Sequence, residues 1–443
     1  MKRRNFVKKS VLAMGATTTV PLFNYIPKMQ GDKLRVGVIG CNGMGWSNIR
    51  SMMKMDDVEC IAICDVDANV VAKRVKDYAE MRSNEVQTYE NHEDLLANGN
   101  IDAVVIGTPD HWHCKIFCDA LEAGKHVYCE KPLANSIEEA YIMRRAAAQH
   151  PDLMVQIGQW QRSGPHYQEA IDIVRSGDLG NIRLVKTWAY QGWMKPMEPK
   201  PNGPVPEGVD YERWLGPAPS RPFNPNRFHF NFRWFWDYAG GLMTDWGVHE
   251  IDIALYAMNA DAPKSVMASG GKLAYPNDPA ETPDTLQAVF EYEDFNMLWE
   301  HATGIDLGPY NRREGIAFIG NNGTLVVDRQ GYDVLEERQS QGYSQEGELL
   351  MRQIEPVSRP EGVIYLDLHT QNFVEAIKTK NSSILKTPIV SGSIAAINAH
   401  MGNVAFKTGE KVYWNSDKSM FTSKKASALI TPEYHNGWKI PKY

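Results

Sequence analysis

The sequence predicts an α/β chain of two large domains, the first a doubly wound parallel sheet. Three observations carry that reading. The chain has 443 residues, too many for one ordinary domain. An apolar strand, Leu34-Arg35-Val36-Gly37-Val38-Ile39-Gly40, runs directly into the glycine-rich turn Gly40-Cys41-Asn42-Gly43-Met44-Gly45 and then an amphipathic stretch. Further continuous apolar runs follow at the spacing of strands alternating with helices, as in a parallel sheet covered on both faces.

Composition excludes several classes of protein. With 43% hydrophobic and 23% charged residues, the chain reads as folded and globular. A net charge of −7 gives no reason to expect nucleic acid as a partner. No run of about eighteen apolar residues occurs, so no membrane span is expected.

Residues 1–30 form a segment of their own. Lys2, Arg3 and Arg4 lead through Asn5-Phe6-Val7-Lys8 into a short, weakly hydrophobic stretch, the pattern of a twin-arginine export signal. The expected location is therefore periplasmic or otherwise exported. All six cysteines (Cys41, Cys60, Cys64, Cys114, Cys118, Cys129) lie in the first domain, mostly in or beside apolar strands. They read as buried small hydrophobes rather than a disulfide framework. A twin-arginine route exports proteins folded in the reducing cytoplasm, which suits reduced cysteines and a cofactor acquired before export.

Residues 33–155 read as a dinucleotide-binding domain. Gly40, Asn42, Gly43, Met44 and Gly45 stand where strand meets helix, and N–H groups at the helix start there can hold a pyrophosphate. Asn42 occupies the usual second glycine and is read as tolerating left-handed backbone. The second strand, Val58 to Cys64, ends at Asp65, placed to accept hydrogen bonds from the adenosine ribose hydroxyls and to repel a 2′-phosphate. No arginine follows directly, so NAD is favoured over NADP, although Lys73 and Arg74 lie close in sequence. A third apolar run, Ile101 to Gly107, ends in Thr108-Pro109-Asp110 at the ligand edge of the sheet. Ser136-x-x-Glu139 is a capping box opening the helix that connects the halves.

Two further segments carry a resemblance. His126-Val127-Tyr128-Cys129-Glu130-Lys131-Pro132-Leu133 is a strand ending in Glu-Lys-Pro, and Gly240-Gly241 precedes Asp245-x-x-x-His249. With the first turn and Thr108-Pro109-Asp110-His111-Trp112-His113, they resemble the glucose–fructose oxidoreductase and inositol dehydrogenase family, Gfo/Idh/MocA. The resemblance implies that residues 156–443 form an α+β substrate-binding domain with a large, mainly antiparallel open sheet that often builds dimers or tetramers. The sequence agrees in outline. Thr285 to Tyr292 alternates with period two, and Gly315–Gly320 followed by Gly323–Val327 reads as a hairpin.

Hydride transfer from a secondary alcohol requires a base near the hydroxyl and a fixed cation or donor beside it. The resemblance makes His249 the base, Asp245 its partner and a substrate contact, and Lys131 the cation at the reacting oxygen. It also places Thr108, Pro109, Glu130 and Lys131 beside the cofactor. Asp245 and His249, four apart, are expected on one helix face after a Gly-Gly cap. Zinc at His111, His113, Cys114 and Cys118 is disfavoured, because no second ligand pair closes a tetrahedron. His111 and His113 are instead placed beside the nicotinamide.

Gln159, Arg162 and His166, after the expected first strand of the second domain, are candidates for sugar hydroxyl contacts. Aromatic residues crowd the segment from Trp188 to Tyr238, most of them core. A Pro- and Gly-rich loop from Pro196 to Pro225 interrupts them, and Trp193 and Trp236 are candidate stacking platforms for a sugar. The expected activity is NAD-dependent oxidation of a sugar, glycoside or polyol, in some cases to a 3-keto glycoside. The competing readings are an NAD-retaining glycosidase and a non-catalytic sugar- or NAD-binding protein.

Overall fold

The structure is a computed structural model that describes residues 33–443 apart from 341 and 344–346. The export-signal segment lies outside the described residues. The first half is a six-stranded, all-parallel sheet of order β3-β2-β1-β4-β5-β6. Its strands are β1 (Leu34–Ile39), β2 (Val58–Cys64), β3 (Gln87–Tyr89), β4 (Ala103–Ile106), β5 (His126–Cys129) and β6 (Val155–Ile157). Between them run α1 (Met44–Met52), α2 (Ala68–Ala79), α3 (His92–Leu96), α4 (Asp110–Glu122) and α5 (Ile137–Gln149). The central strands β4 and β5 are buried along their whole length, which is why they carry no period-two alternation. All six cysteines are buried free thiols.

Two expectations need correction here. The segment 155–157, taken as opening the second domain, is β6 of the parallel sheet, pairing Val127 with Val155 and Cys129 with Ile157. A boundary at 155 therefore cuts a strand. The helix capped by Ser136, whose Oγ accepts the Glu139 N–H at 3.2 Å, leads into that strand rather than out of the sheet.

The second half is built on a ten-stranded sheet of order β14-β13-β12-β11-β7-β10-β9-β8-β15-β16. It contains β7 (Leu184–Gln191), β8 (Ser265–Gly271), β9 (Thr285–Glu291), β10 (Asn296–Thr303), β11 (Glu314–Ile319), β12 (Gly323–Asp328), β13 (Gly331–Glu336), β14 (Val357–Ser358), β15 (Val412–Asn415) and β16 (Met420–Phe421). Among the described residues of this sheet only β7 and β10 pair in parallel; the expected hairpin is β11–β12. On β9, Leu286, Ala288 and Phe290 face the core while Thr285, Gln287 and Glu291 stay partly or fully exposed, the two-residue period realised.

Helices α6 (Pro165–Ser176), α7 (Tyr211–Leu215), α8 (Leu242–Asp245), α9 (Gly247–Met258), α10 (Tyr365–Thr379) and α11 (Ile389–Thr408) complete the half. Two of them join the halves. The fully buried Phe373 of α10 packs in the core formed by β1, β2 and α1, and Ser51 of α1 donates to Asp367 at 2.6 Å. Helix α11 is apolar nearly all round, because it packs against α5 on one side and α9 and β8 on the other. Truncating a side chain as deeply buried as Phe373 costs about 3–5 kcal/mol. The ligand edge of the parallel sheet is thereby fixed against the second half. Among the described residues no helix is long and apolar enough to cross a membrane.

Candidate active site

A cleft of about 690 Å³ lies where the two halves meet, within the range of small-molecule sites. One wall is the glycine-rich turn. Gly40 has φ +78°, and a Cβ there would stand 2.6 Å from the Thr108 nitrogen. Gly45 packs on the Gly40 carbonyl and Gly107, the close helix–strand approach that only glycine allows. Asn42 does not take the left-handed backbone expected of it. Its amide instead donates to His229 Nδ1 at 3.2 Å, across the cleft. Gly43 caps α1 without a side chain, so the first-turn N–H groups around Met44 face the cleft for a ligand.

Asp65 lines the same cleft and accepts the Cys41 N–H at 2.9 Å and the Asp67 N–H at 3.2 Å. Burial pushes its pKa up, against those hydrogen bonds. Arg74, in doubt as a 2′-phosphate ligand, is committed elsewhere. Its Nε donates to the Cys41 carbonyl at 2.9 Å, another arm to the Asn42 carbonyl, and Nη1 pairs with Asp77 at 2.6 Å. It buttresses the turn. The residues fit a dinucleotide without a 2′-phosphate: an uncapped helix start, a ribose-facing acid, and a buried Thr108 hydroxyl with no protein partner. Asp65→Ala is expected to weaken NAD and narrow its preference over NADP, measured by titration of both cofactors. Equal affinity in the unsubstituted protein would contradict this assignment.

The far end of the cleft reaches Glu130, Lys131 and Arg233. Glu130, buried at the end of β5, accepts the Asn48 amide at 2.7 Å and the Lys131 N–H at 3.1 Å, and burial pushes its pKa up. Gly158 leaves room for it, since a Cβ there would stand 2.9 Å from the Glu130 carboxylate. The Lys131–Pro132 peptide is cis. Lys131 Nζ donates to Asp245 Oδ1 at 2.8 Å and to the Asp245 carbonyl at 2.9 Å. Arg233 Nε donates to the same carboxylate oxygen at 3.2 Å. Burial raises the Asp245 pKa, but Lys131 and Arg233 outweigh it and bring it down to about 2.

Asp245 and His249 do not share one helix. Asp245 ends α8, Trp246 breaks the run, and His249 lies in the first turn of α9. The carboxylate is partner to Lys131, just past the end of β5, rather than to His249. His249 is buried, and its Nδ1 has no protein partner. Burial first, then Lys131 and Arg329, hold its pKa well below the ordinary histidine value. Its ring lies beside Trp160 at 5.7 Å and Trp246 at 6.1 Å, and the Arg329 guanidinium stacks on both indoles at 4.5 and 4.3 Å.

Several expected site residues are occupied by structural roles. His111 Nε2 sits 3.1 Å from the Trp214 carbonyl; His113 lies between the carbonyls of Pro132 at 2.8 Å and Thr108 at 3.0 Å. Neither lines the cleft. Both are held neutral by burial, at pKa about 4. His113 braces the turns that carry Lys131 and Thr108 and His111 holds the end of α7, while Asp110, Trp112 and Ile116 are the α4 residues that line the cleft. Arg162 forms a buried two-pronged pair with Asp252 at 2.6 and 2.8 Å. His166 is bonded to the Asp328 carbonyl and the Tyr365 hydroxyl, both at 2.7 Å. Arg162 thus ties its 3₁₀ turn to α9, and His166 ties α6 to the end of β12 and the start of α10.

Trp236 is likewise fixed, with its N–H on the Glu281 carbonyl at 3.0 Å and Lys407 over its face. Gln159 is fully buried and its side-chain amide has no protein partner. Trp193 is half exposed, 6.0 Å from Phe230 on the cleft wall.

Other residues at the site were not singled out from the sequence. Asp110 lines the cleft at the first position of α4, and burial lifts its carboxyl pKa to about 8 despite Arg233 and Lys131 nearby. Its place in the Thr108-Pro109-Asp110 turn was a usable signal. Arg233, Arg329 and His229 had none, because they come from 3₁₀ segments and a β-turn with no motif.

The two halves match two family models. Residues 34–159 match the "Oxidoreductase family, NAD-binding Rossmann fold" and residues 182–328 the "Oxidoreductase family, C-terminal alpha/beta domain". The chain belongs to the Gfo/Idh/MocA family. It is 27% identical to the uncharacterized oxidoreductase YrbE of Bacillus subtilis (strain 168) over 66% of this chain and 73% of that one. To the inositol 2-dehydrogenase of Rubrobacter xylanophilus it is 30% identical, over 38% of this chain and 48% of the relative. A levoglucosan dehydrogenase solved with NADH and levoglucosan superposes with a TM-score of 0.63 at 19% identity, covering 86% of this chain and 99% of that one. That last likeness is one of fold. The Gfo/Idh/MocA architecture of this chain thus pairs an NAD-binding parallel sheet with an open, mostly antiparallel one.

Proposed function

We propose that this protein oxidises a secondary hydroxyl of a sugar, glycoside or polyol with NAD, in the simplest case giving a keto sugar. The observation that carries the reading is Lys131, held by Asp245 at the far end of the cleft, with the buried His249 near enough for Lys131 to help lower its pKa. NAD, when bound, supplies the hydride acceptor. The chain supplies the rest. Lys131, beside the reacting oxygen, stabilises the alkoxide as the hydride leaves. His249, kept neutral by burial, takes the hydroxyl proton. Asp245 fixes the ammonium group, and Arg233 anchors Asp245 in turn.

Relatives named for inositol 2-dehydrogenase and levoglucosan dehydrogenase activities support a cyclic polyol or sugar substrate. The test is an anaerobic panel of monosaccharides, glycosides and inositols incubated with the NAD-loaded protein. Reduced nicotinamide together with a keto product is expected from at least one member. Release of an aglycone without reduced nicotinamide or a keto sugar would replace this reading with an elimination-type glycosidase. Binding without any turnover across the panel would refute it.

A further inference from the structure

His249 is buried, and with its pKa so far depressed it cannot keep a proton taken from a hydroxyl. Each oxidation therefore needs a way out for one proton. The interior beside the site holds a group of unsatisfied polar atoms. Among the described residues, Asn48 Oδ1, Tyr128 Oη, Gln156 Oε1 and both amide atoms of Gln159 have no protein partner, and all four residues are 0% exposed. Orphaned polar atoms are costly in a dry interior, so a group of them marks a place for internal water.

The fold gathers these atoms between four elements. Tyr128 of β5 stands opposite Gln156 of β6, so their side chains share one face of the parallel sheet. Tyr128 packs edge-on against His369 of α10 at 5.8 Å, and the Gln156 amide donates to the His369 carbonyl at 2.6 Å. Asn48 of α1 donates to Glu130, two residues beyond Tyr128, at 2.7 Å. Glu130 is the inner end of this layer, because it lines the cleft beside Lys131. The outer end is a run of hydroxyls. Ser51, one turn after Asn48 on α1, lies 2.8 Å from the Thr370 hydroxyl and donates to Asp367 at 2.6 Å. The Asp367 carboxylate is 30% exposed, and with Ser51 and Lys54 it lines a hollow open to solvent. Toward the base, Gln159 falls between Gly158, which abuts the Glu130 carboxylate, and Trp160, whose ring lies 5.7 Å from His249. Burial keeps the Tyr128 phenol protonated, so it can both donate and accept, and it favours the protonated form of Glu130.

We propose that the proton released by the oxidation leaves through this layer, from His249 by water at Gln159 to Glu130, and on past Asn48 and Tyr128 to Ser51 and Asp367. The proposal rests on the oxidoreductase reading above and adds Asn48 and Tyr128 to it as positioning residues, which hold the water that carries the proton. Protons and electrons balance. The carbinol carbon gives a hydride to the nicotinamide, and the hydroxyl gives its proton to His249. Each link then accepts one proton and passes one on, so every group returns to its starting state and bulk water takes the proton at Asp367. The route runs away from the cleft and stays open while cofactor and sugar fill it.

Two measurements test this. A high-resolution crystal structure of the unsubstituted protein is expected to show ordered water within hydrogen-bond distance of Asn48 Oδ1, Tyr128 Oη and Gln156 Oε1, with another on Gln159. A layer without water there would overturn the proposal. The second measurement uses Tyr128→Phe, which removes a hydroxyl without a protein partner and should leave the melting temperature unchanged. The panel member that gives a keto product is oxidised in a stopped-flow cell, in weak buffer with a pH-indicator dye, and proton release is compared with nicotinamide reduction. In the parent the two are expected to run together. In Tyr128→Phe the proton should lag by about ten-fold, the order for losing one hydrogen-bonded link, with a larger solvent deuterium isotope effect on release. Ser51→Ala, at the outer end, should produce the same lag. Loss of packing alone would slow both signals equally. Release that keeps pace with reduction in either variant would overturn the proposal and leave the sugar oxidation standing. Failure of nicotinamide reduction across the whole panel would instead remove the reading on which it rests.

Discussion

Lys131→Ala is expected to lower the rate of hydride transfer by about 10²–10⁴-fold, the range for a group acting on charge or a proton in the transition state. Its ammonium is the only side-chain cation within hydrogen-bond reach of both the Asp245 carbonyl and carboxylate among the described residues. In the proposed mechanism its loss removes charge stabilisation where the alkoxide develops, while Arg233 keeps Asp245 paired. NAD affinity should fall little, because the turn, Asp65 and Thr108 are unchanged. The check is single-turnover reduction of bound nicotinamide, with cofactor binding titrated separately. A rate within a few-fold of the parent would mean that Lys131 is a structural partner of Asp245.

The second large effect is expected at His249. His249→Ala should cost a similar factor, about 10²–10⁴-fold, and should change the shape of the pH–rate profile. Burial, Lys131 and Arg329 depress the pKa of His249 well below the ordinary value of 6.5. The base is therefore neutral through the neutral range, and activity is lost only as pH falls below the usual histidine range. That acid limb should disappear in His249→Ala. The same depression has a consequence for stability. The unfolded chain takes up a proton at this histidine below about pH 6.5 while the folded chain does not, so its contribution weakens as pH falls. A limb that survives the substitution unchanged would assign it to another group.

The parallel sheet was legible because its signals are local. A glycine turn between strand and helix, an acid closing β2, and apolar runs without alternation each report on a few adjacent residues. The proposed catalytic trio of Lys131, Asp245 and His249 was legible only through resemblance, since a Lys-Pro turn and an Asp-x-x-x-His spacing are common in structural settings. What the sequence concealed lies in contacts between distant segments. His113 and His166 look like site residues until the Pro132 and Asp328 carbonyls are placed against them. Arg162 looks free until Asp252, ninety residues on, takes both its arms. The resemblance made Asp245 the partner of His249, and the spacing put both on one helix face; the helix breaks at Trp246, and the carboxylate pairs with Lys131 instead. Asp110 stood in a turn that the sequence already placed at the ligand edge, but the burial that raises its pKa is encoded by no motif.

The central claim is that Lys131 and His249 serve hydride transfer from a sugar carbon to nicotinamide. The most direct measurement is a single turnover with a substrate deuterated at its carbinol carbon, followed by mass analysis of the nicotinamide extracted from the protein. The account predicts that the deuterium appears on the nicotinamide ring in the parent protein and is all but absent over the same time in Lys131→Ala and His249→Ala. A nicotinamide that stays unlabelled while the sugar is consumed would contradict it, and so would full labelling in both variants.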